Sequence, residues 1–259
     1  MIRSLSKKIQ IRIVSFLFSL ERLYTLDSDL FNLLETNFTM QQNILRNLNV
    51  IKNNILNICK KINRNPKEIN IVAVSKEQPF EKIEELLYNK HYCFGENRLL
   101  ELENKWCNLN NKNLKIHFIG ALQSRKVKDI IKLSNVIETL DSESAAKKIA
   151  NLDISLKTKL KLFIQINLGK EIHKRGIAVR EAENFLYMCR EKYKLTISGG
   201  MAIPPKSKIP EKYFQILKDL CKKNNLKEIS MGMSDDYEKA IELGSTNIRI
   251  GTKLFGKRN

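Results

Sequence analysis

The chain has 259 residues, of which 42% are hydrophobic and 29% are charged, as in folded globular proteins and unlike disordered or collagen-like chains. Its five cysteines form no C-x-x-C pair and it has three histidines, which argues against a zinc site, an iron–sulfur site and a disulfide-stapled scaffold. Lys and Arg outnumber Asp and Glu by 46 to 28, but they are spread among the acids rather than clustered, so no specific nucleic-acid site is predicted.

Residues 1–39 are predicted to be an extension outside the folded domain. Positions 1–20 hold four basic residues and no acid, and they end in an apolar run, 13–20, as weak targeting peptides do. That run is far shorter than the roughly 20 residues that cross a bilayer, so no membrane span is predicted. No small-residue cleavage site follows, and domain-like periodicity begins only after Met40. We therefore favour a natural start at Met40 and a cytoplasmic protein, with a mitochondrial or plastid transit peptide as the alternative.

The first predicted element is an amphipathic helix over 41–63. Its apolar residues recur at steps of three and four, at Ile44, Leu48, Ile51, Ile55, Ile58 and Ile62. The turn-forming residues Asn-Arg-Asn-Pro at 63–66 end this pattern.

Eight short apolar runs follow, mostly continuous rather than alternating, which is typical of parallel strands buried on both faces. They span 69–75, 91–96, 116–120, 136–140, 162–167, 196–202, 229–233 and 248–251. Helical patterns fill the gaps at 80–88, 99–106, 124–133, 143–150, 180–191, 210–224 and 237–243. Eight strands with seven helices predict one (β/α)8 barrel over 40–259, in which helix 41–63 packs in place of the missing last helix. An open doubly wound sheet is the alternative, but its G-x-G-x-x-G turn is absent.

The chemistry of such barrels lies at the carboxyl ends of the strands. Lys76 follows the first strand, and an amine that is partly shielded from water can attack an aldehyde to form a Schiff base. Ser230, Gly251 and Thr252 fall at strands seven and eight, where a hydroxyl and backbone N–H groups can cradle a phosphate. A solvated surface lysine is the alternative for Lys76. His117, in the middle of strand three, is predicted to be a packed, hydrogen-bonded histidine.

Five motifs run in order through the chain: I-V-A-V-S-K (71–76), F-G-E-N (94–97), H-F-I-G-A-L-Q-S-R-K (117–126), S-M-G-M-S-D-D (230–236) and G-S-T-N-I-R-I-G-T-K-L-F-G-K-R (244–258). Together they resemble the pyridoxal-phosphate homeostasis proteins, the YggS/PROSC family. That family folds as a (β/α)8 barrel similar to the N-terminal domain of alanine racemase, so the resemblance implies the fold that the strand count predicts. Two features depart from the family pattern: the extension 1–39, and Arg125, which stands where the family commonly has Asn.

The resemblance implies pyridoxal 5′-phosphate as the cofactor and gives each matching residue a role. It makes Lys76 the Schiff-base partner, sets Asn97 beside the ring and Arg249 near the pyridine nitrogen, and assigns the phosphate to Ser230, Gly251 and Thr252. A guanidinium does not give up its proton, so the ring nitrogen beside it would stay neutral and the cofactor would be a poor electron sink.

The resemblance favours a carrier over an enzyme. Alanine racemase adds a second domain that supplies a catalytic tyrosine, and this sequence offers no obvious second acid or base opposite Lys76. We expect a monomer without turnover that takes part in pyridoxal phosphate homeostasis, buffering the reactive aldehyde and delivering it to apo-enzymes. A pyridoxal-phosphate-dependent amino-acid racemase is the main alternative. A Schiff-base aldolase and a salt-sensitive nucleic-acid binder carry less weight.

Overall fold

The computed structural model describes residues 28–169, 174–205 and 209–256, with side chains from Asn43 onward. Its strands, in chain order, are β1 (Asn70–Val74), β2 (Cys93–Glu96), β3 (Lys115–Phe118), β4 (Val136–Leu140), β5 (Lys161–Asn167), β6 (Ile177–Ala178), β7 (Ile197–Ala202), β8 (Glu228–Ser230) and β9 (Asn247–Ile250). All pairings are parallel, and because β4 pairs with β5 the ring closes through β1 and β9. Two-residue β6 lies outside the ring along β5. The predicted eight-stranded barrel is confirmed.

Helices connect the strands and cover the outside of the barrel. They are α1 (Ser28–Lys61), α2 (Phe80–Tyr88), α3 (Leu99–Trp106), α4 (Val127–Leu133), α5 (Glu143–Ala150), α6 (Ile154–Lys157), α7 (Ala182–Tyr187), α8 (Glu211–Lys223), α9 (Tyr237–Glu242) and α10 (Thr252–Phe255). The predicted helix 124–133 begins as a 3-10 turn, and the predicted helix 180–191 ends in π-helical geometry. The sequence did not predict α6, because four residues are too few to show a period.

The apolar side chains form two layers, one on each face of the strands. The larger layer fills the space between strands and helices. A separate cluster of Val136, Phe163 and Met201 lies on the inner face and fills part of the barrel interior. Successive side chains of a strand point to opposite faces, so strands with apolar residues on both faces give continuous apolar runs.

Helix α1 closes the outer layer where a last barrel helix would lie. Its predicted apolar face is buried from Ile44 to Ile58. The Asn47 Nδ2 donates to the carbonyl of Leu254 (3.1 Å), and the Asn54 Nδ2 donates to the hydroxyl of Tyr237 (3.0 Å). These contacts join α1 to α9 and α10. The predicted packing of this helix in place of a last barrel helix is confirmed.

The boundary at 39/40 stays a prediction. Helix α1 begins at Ser28 and runs through Met40 without a break in its backbone. Residues 1–27, which carry the predicted targeting segment, lie outside the described residues. Among the helices of the described ranges, none has the length and apolar character needed to cross a membrane.

Candidate functional site

The turn that carries Lys76 lies at the same end of the barrel as Gly251. Lys76 is half-buried in the turn directly after β1. The register pairs Ala73 with Ile250, so Gly251 follows beside Val74, and a Cβ on Gly251 would lie 3.6 Å from the Cβ of Val74. Two neighbouring strand ends therefore bring the residue predicted to form the Schiff base, Lys76, to the same part of the barrel as the predicted phosphate residue Gly251.

Asn97 adds an oxygen that needs a hydrogen-bond donor. Its Oδ1 is buried, and no group among the described residues donates to it. The loop after β3 packs directly on this residue, because a Cβ on Gly120 would lie 1.9 Å from the Asn97 carbonyl oxygen. Buried polar atoms of folded proteins are almost always satisfied, so an acceptor of this kind at a strand end fits a ligand that supplies the donor.

A chain of hydrogen bonds crosses the interior above the apolar cluster. The Arg249 Nη1 donates to the Ser230 Oγ (2.6 Å), and its Nη2 donates to the carbonyl of Ala202 at the end of β7 (2.9 Å). The Ser230 hydroxyl donates to the Glu138 Oε2 (2.7 Å), while the other carboxylate oxygen lies 2.6 Å from the His117 Nδ1. The network fixes the guanidinium of Arg249 toward the carboxyl ends of the strands.

Burial and pairing set the protonation of this network. Burial disfavours the charged imidazole, but the Cys93 thiol and the Glu138 carboxylate beside the ring outweigh it and raise the pKa of His117 to about 10. Burial would also raise the pKa of Glu138, yet its bonds to His117 and Ser230 and the charge of Arg249 lower it. Burial lowers the pKa of Arg249 against the opposing effect of Glu138 and Asp236. At neutral pH the interior therefore holds one carboxylate between two cations.

The structure separates Ser230 from the rest of the predicted phosphate cradle. The register pairs Ser230 with Asn247 of β9. Asn247 precedes Gly251 by four residues, a separation of about 13 Å along a strand. Its single hydroxyl proton is used by Glu138. Ser234 lies beside Gly251 and Thr252, because its Oγ accepts the N–H of Lys253 (3.2 Å) in the first turn of α10.

Sequence reasoning overlooked Glu138, and it placed Ser234 at the mouth of strand seven without giving it a role. The predicted strand 229–233 is shorter in the structure: β8 ends at Ser230, and the chain turns at Gly232 with a φ of 91°. Glu138 carried a usable signal, since a carboxylate inside the apolar run V-I-E-T-L is almost never buried unless it is paired. Arg125, the departure from the family pattern, is exposed, and its Nε lies 3.4 Å from the Gln123 Oε1.

The raised pKa of His117 predicts a loss of stability at high pH. A group whose pKa is higher in the folded than in the unfolded protein stabilises the fold below its unfolded pKa of 6.5, and this contribution disappears as the pH rises through about 10. Each unit of pKa difference corresponds to about 1.4 kcal/mol. We expect urea denaturation of the wild type to show a falling free energy of unfolding between pH 7 and pH 10.5, and His117→Asn to show a smaller fall. Equal slopes for the two proteins would contradict the assignment.

Comparisons with known proteins identify the family of this chain. The family described as the alanine racemase N-terminal domain matches residues 47–259. The pyridoxal phosphate homeostasis protein of Haemophilus influenzae is 35% identical over 229 residues, which cover 84% of this chain and 97% of that protein. The chain belongs to the pyridoxal phosphate homeostasis protein family.

Solved structures of other proteins are also similar to this chain. PipY of Synechococcus elongatus PCC7942, in a structure with pyridoxal phosphate (PLP) bound, is 27% identical with a TM-score of 0.64, and the match covers 78% of this chain and all of PipY. Alanine racemase from Corynebacterium glutamicum is 15% identical with a TM-score of 0.62, covering 84% of this chain and 62% of that enzyme. The racemase comparison shows that the two proteins share the barrel fold.

Proposed function

We propose that this homeostasis protein binds pyridoxal 5′-phosphate at the carboxyl ends of its barrel strands and holds the aldehyde as a Schiff base on Lys76. The observation that carries the proposal is the donorless, buried Oδ1 of Asn97 at the strand end next to the one that bears Lys76. PLP offers a ring hydroxyl that can donate to such an oxygen. The relative PipY, whose structure holds PLP, supports the same ligand.

The phosphate is proposed to bind where β9 leads into α10. The first N–H groups of a helix have no partner within it, and they favour an anion. Gly251 and Thr252 supply such groups, and the Ser234 hydroxyl beside them accepts from Lys253 and so keeps its own proton for a ligand. Ser230 supports the site from below through Arg249, rather than by touching the phosphate.

Arg249 is proposed to face the ring nitrogen and to limit the chemistry at the site. When bound, pyridoxal phosphate supplies a reactive aldehyde and a ring that can serve as an electron sink. A guanidinium donates hydrogen bonds and accepts none, so Arg249 would hold the ring nitrogen as an acceptor. Glu138 keeps this guanidinium charged and in place. The site would then retain the cofactor without promoting proton removal from an amino acid.

The proposed role is therefore that of a cytoplasmic, monomeric carrier whose barrel, 40–259, buffers the cofactor and passes it to apo-enzymes. An amino-acid racemase remains the second candidate, favoured by the match to the alanine racemase N-terminal domain. Racemisation requires a second acid or base on the face of the substrate opposite Lys76. The two functions differ in what happens to an added amino acid.

Delivery and turnover can be measured on one preparation. Protein loaded with pyridoxal phosphate is mixed with an apo-aminotransferase in the presence of a phosphatase that destroys free cofactor, and the regained aminotransferase activity is followed. We expect recovery with wild type and none with Lys76→Ala. The same loaded protein is incubated with alanine in deuterated water, and we expect no α-proton exchange above that of free pyridoxal phosphate. Exchange dependent on Lys76 would establish the racemase instead.

A further inference from the structure

We propose that Glu101 and Lys105 of helix α3 position Lys76 by holding the backbone on both of its sides. We call this pair the α3 clamp. The inference rests on the proposed function, because it assigns the clamp the task of presenting the Lys76 amine to the aldehyde. Both side chains bind the backbone around Lys76, so we assign them a positioning role; the second carboxylate oxygen of Glu101, Oε1, is buried and has no hydrogen-bond partner among the described residues.

Lys105 holds the residue before Lys76. Its Nζ donates to the carbonyl of Ser75 (2.8 Å), and it also contacts the Glu96 Oε1 (3.2 Å). The Ser75 hydroxyl donates to the same carboxylate oxygen (2.7 Å). Ser75 is fully buried and the Lys105 side chain is 12% exposed, so these bonds are well shielded from water. The end of β1 is thereby tied to the end of β2.

Glu101 holds the residue after Lys76. The backbone N–H of Glu77 donates to the Glu101 Oε2 (2.6 Å), and the Lys105 Nζ donates to the same oxygen (2.7 Å). Glu77 has a φ of 59°, in the left-handed region where a side chain is disfavoured. A residue stays in that conformation when its surroundings hold it there. The hydrogen bond to Glu101 contributes to holding this backbone, beside the bond from the Gln78 N–H to the Ser75 carbonyl (3.1 Å).

The charges of the clamp agree with this task. Burial raises the pKa of Glu101, but its bonds to Lys105 and to the Glu77 N–H outweigh burial and lower it, so the carboxylate is ionised at neutral pH. An ionised acceptor makes a stronger bond to a backbone N–H than a neutral one does. With both flanks fixed, Lys76 has only its side chain left to orient. Such preorganisation raises the fraction of molecules in which the amine is ready to react.

Glu101→Gln tests the clamp, and Glu103→Gln is the matched control, because Glu103 lies on the exposed face of the same helix. We expect Glu101→Gln to weaken formation of the Schiff base with added pyridoxal phosphate about tenfold, the loss typical of one bond to a charged group. The unfolding midpoint without cofactor serves as the check on folding. Glu103→Gln is expected to bind as the wild type does.

Glu77→Gly separates positioning from a general loss of structure. Glycine adopts a positive φ without steric cost, so Glu77→Gly combined with Glu101→Gln should bind within about threefold of the wild type. Amide hydrogen exchange at residue 77 gives a readout that needs no cofactor, and we expect Glu101→Gln to speed it about tenfold.

If wild type forms no Schiff base, the proposed function fails, and with it the positioning role. If wild type forms one, and Glu101→Gln leaves both affinity and exchange unchanged, the clamp alone is refuted.

Discussion

Lys76→Ala should abolish the visible absorption band that the wild-type protein develops with pyridoxal phosphate. The Schiff base needs a primary amine, and Lys76 carries one in the turn after β1, at the end of the barrel where Asn97 and Gly251 lie. Borohydride reduces the C=N bond to a secondary amine and so fixes the cofactor to its lysine. We expect peptide mass spectrometry to find the adduct on Lys76 in the wild type, and no adduct in the variant.

Lys132→Ala is the control for this experiment, because Lys132 is exposed in the last turn of α4, at the end of the helix opposite the barrel mouth. It should keep the band and the adduct on Lys76. A band that survives in Lys76→Ala would move the attachment to another lysine. A wild type that shows no band at any cofactor concentration would remove the cofactor assignment and leave a barrel of unassigned ligand.

Glu138→Ala should lower the free energy of unfolding of the unliganded protein by roughly 3–5 kcal/mol. The change leaves the Arg249 guanidinium buried without its carboxylate, and it removes the acceptor of the Ser230 hydroxyl and the partner of the His117 ring. Burying a charge without a partner is among the most costly changes that a protein interior can undergo. Urea denaturation at pH 7 measures the effect.

Two further variants bracket this result. Glu138→Gln keeps acceptor and donor groups of the same shape, so it should recover part of the lost stability. Glu183→Ala removes an exposed carboxylate that pairs with Lys223 (2.6 Å), and it should change the stability by less than about 1 kcal/mol. Should Glu138→Ala cost no more than Glu183→Ala, the interior network would not hold Arg249 as described.

Local sequence patterns predicted the bounds of several elements. Strand β4 and helices α2, α3 and α5 have the predicted bounds. In α5, for example, the Ser142 hydroxyl accepts the N–H of Ala145 and caps the helix. Apolar periodicity and capping are short-range properties, so they can be recognised without knowing the fold.

The network around Arg249 could not be predicted in the same way. Its bond to Ser230 and the bond from Ser230 to Glu138 join three strands, and the second spans 92 positions of sequence. Which side chains meet inside a barrel depends on the register of every strand between them, and a shift by one residue turns the side chain to the other face. The same dependence explains why Ser230 was predicted beside Gly251 and Thr252, whereas its register partner Asn247 lies four residues before Gly251 on β9.

The closure of the barrel by α1 bears on when the protein can begin to work. Strand β1 pairs with β9, and Asn47 of α1 binds Leu254, which is 207 positions away in the chain. A growing chain is made from its N-terminal end, so β1 lacks its neighbour β9, and α1 lacks its contact with Leu254, until the last strand of the barrel has left the ribosome. Gly251 and Thr252 belong to that final stretch. We expect a nascent chain to bind its ligand only after synthesis of the barrel is finished. Shorter, incomplete chains would then be exposed to chaperones and proteases without the stabilising effect of the cofactor.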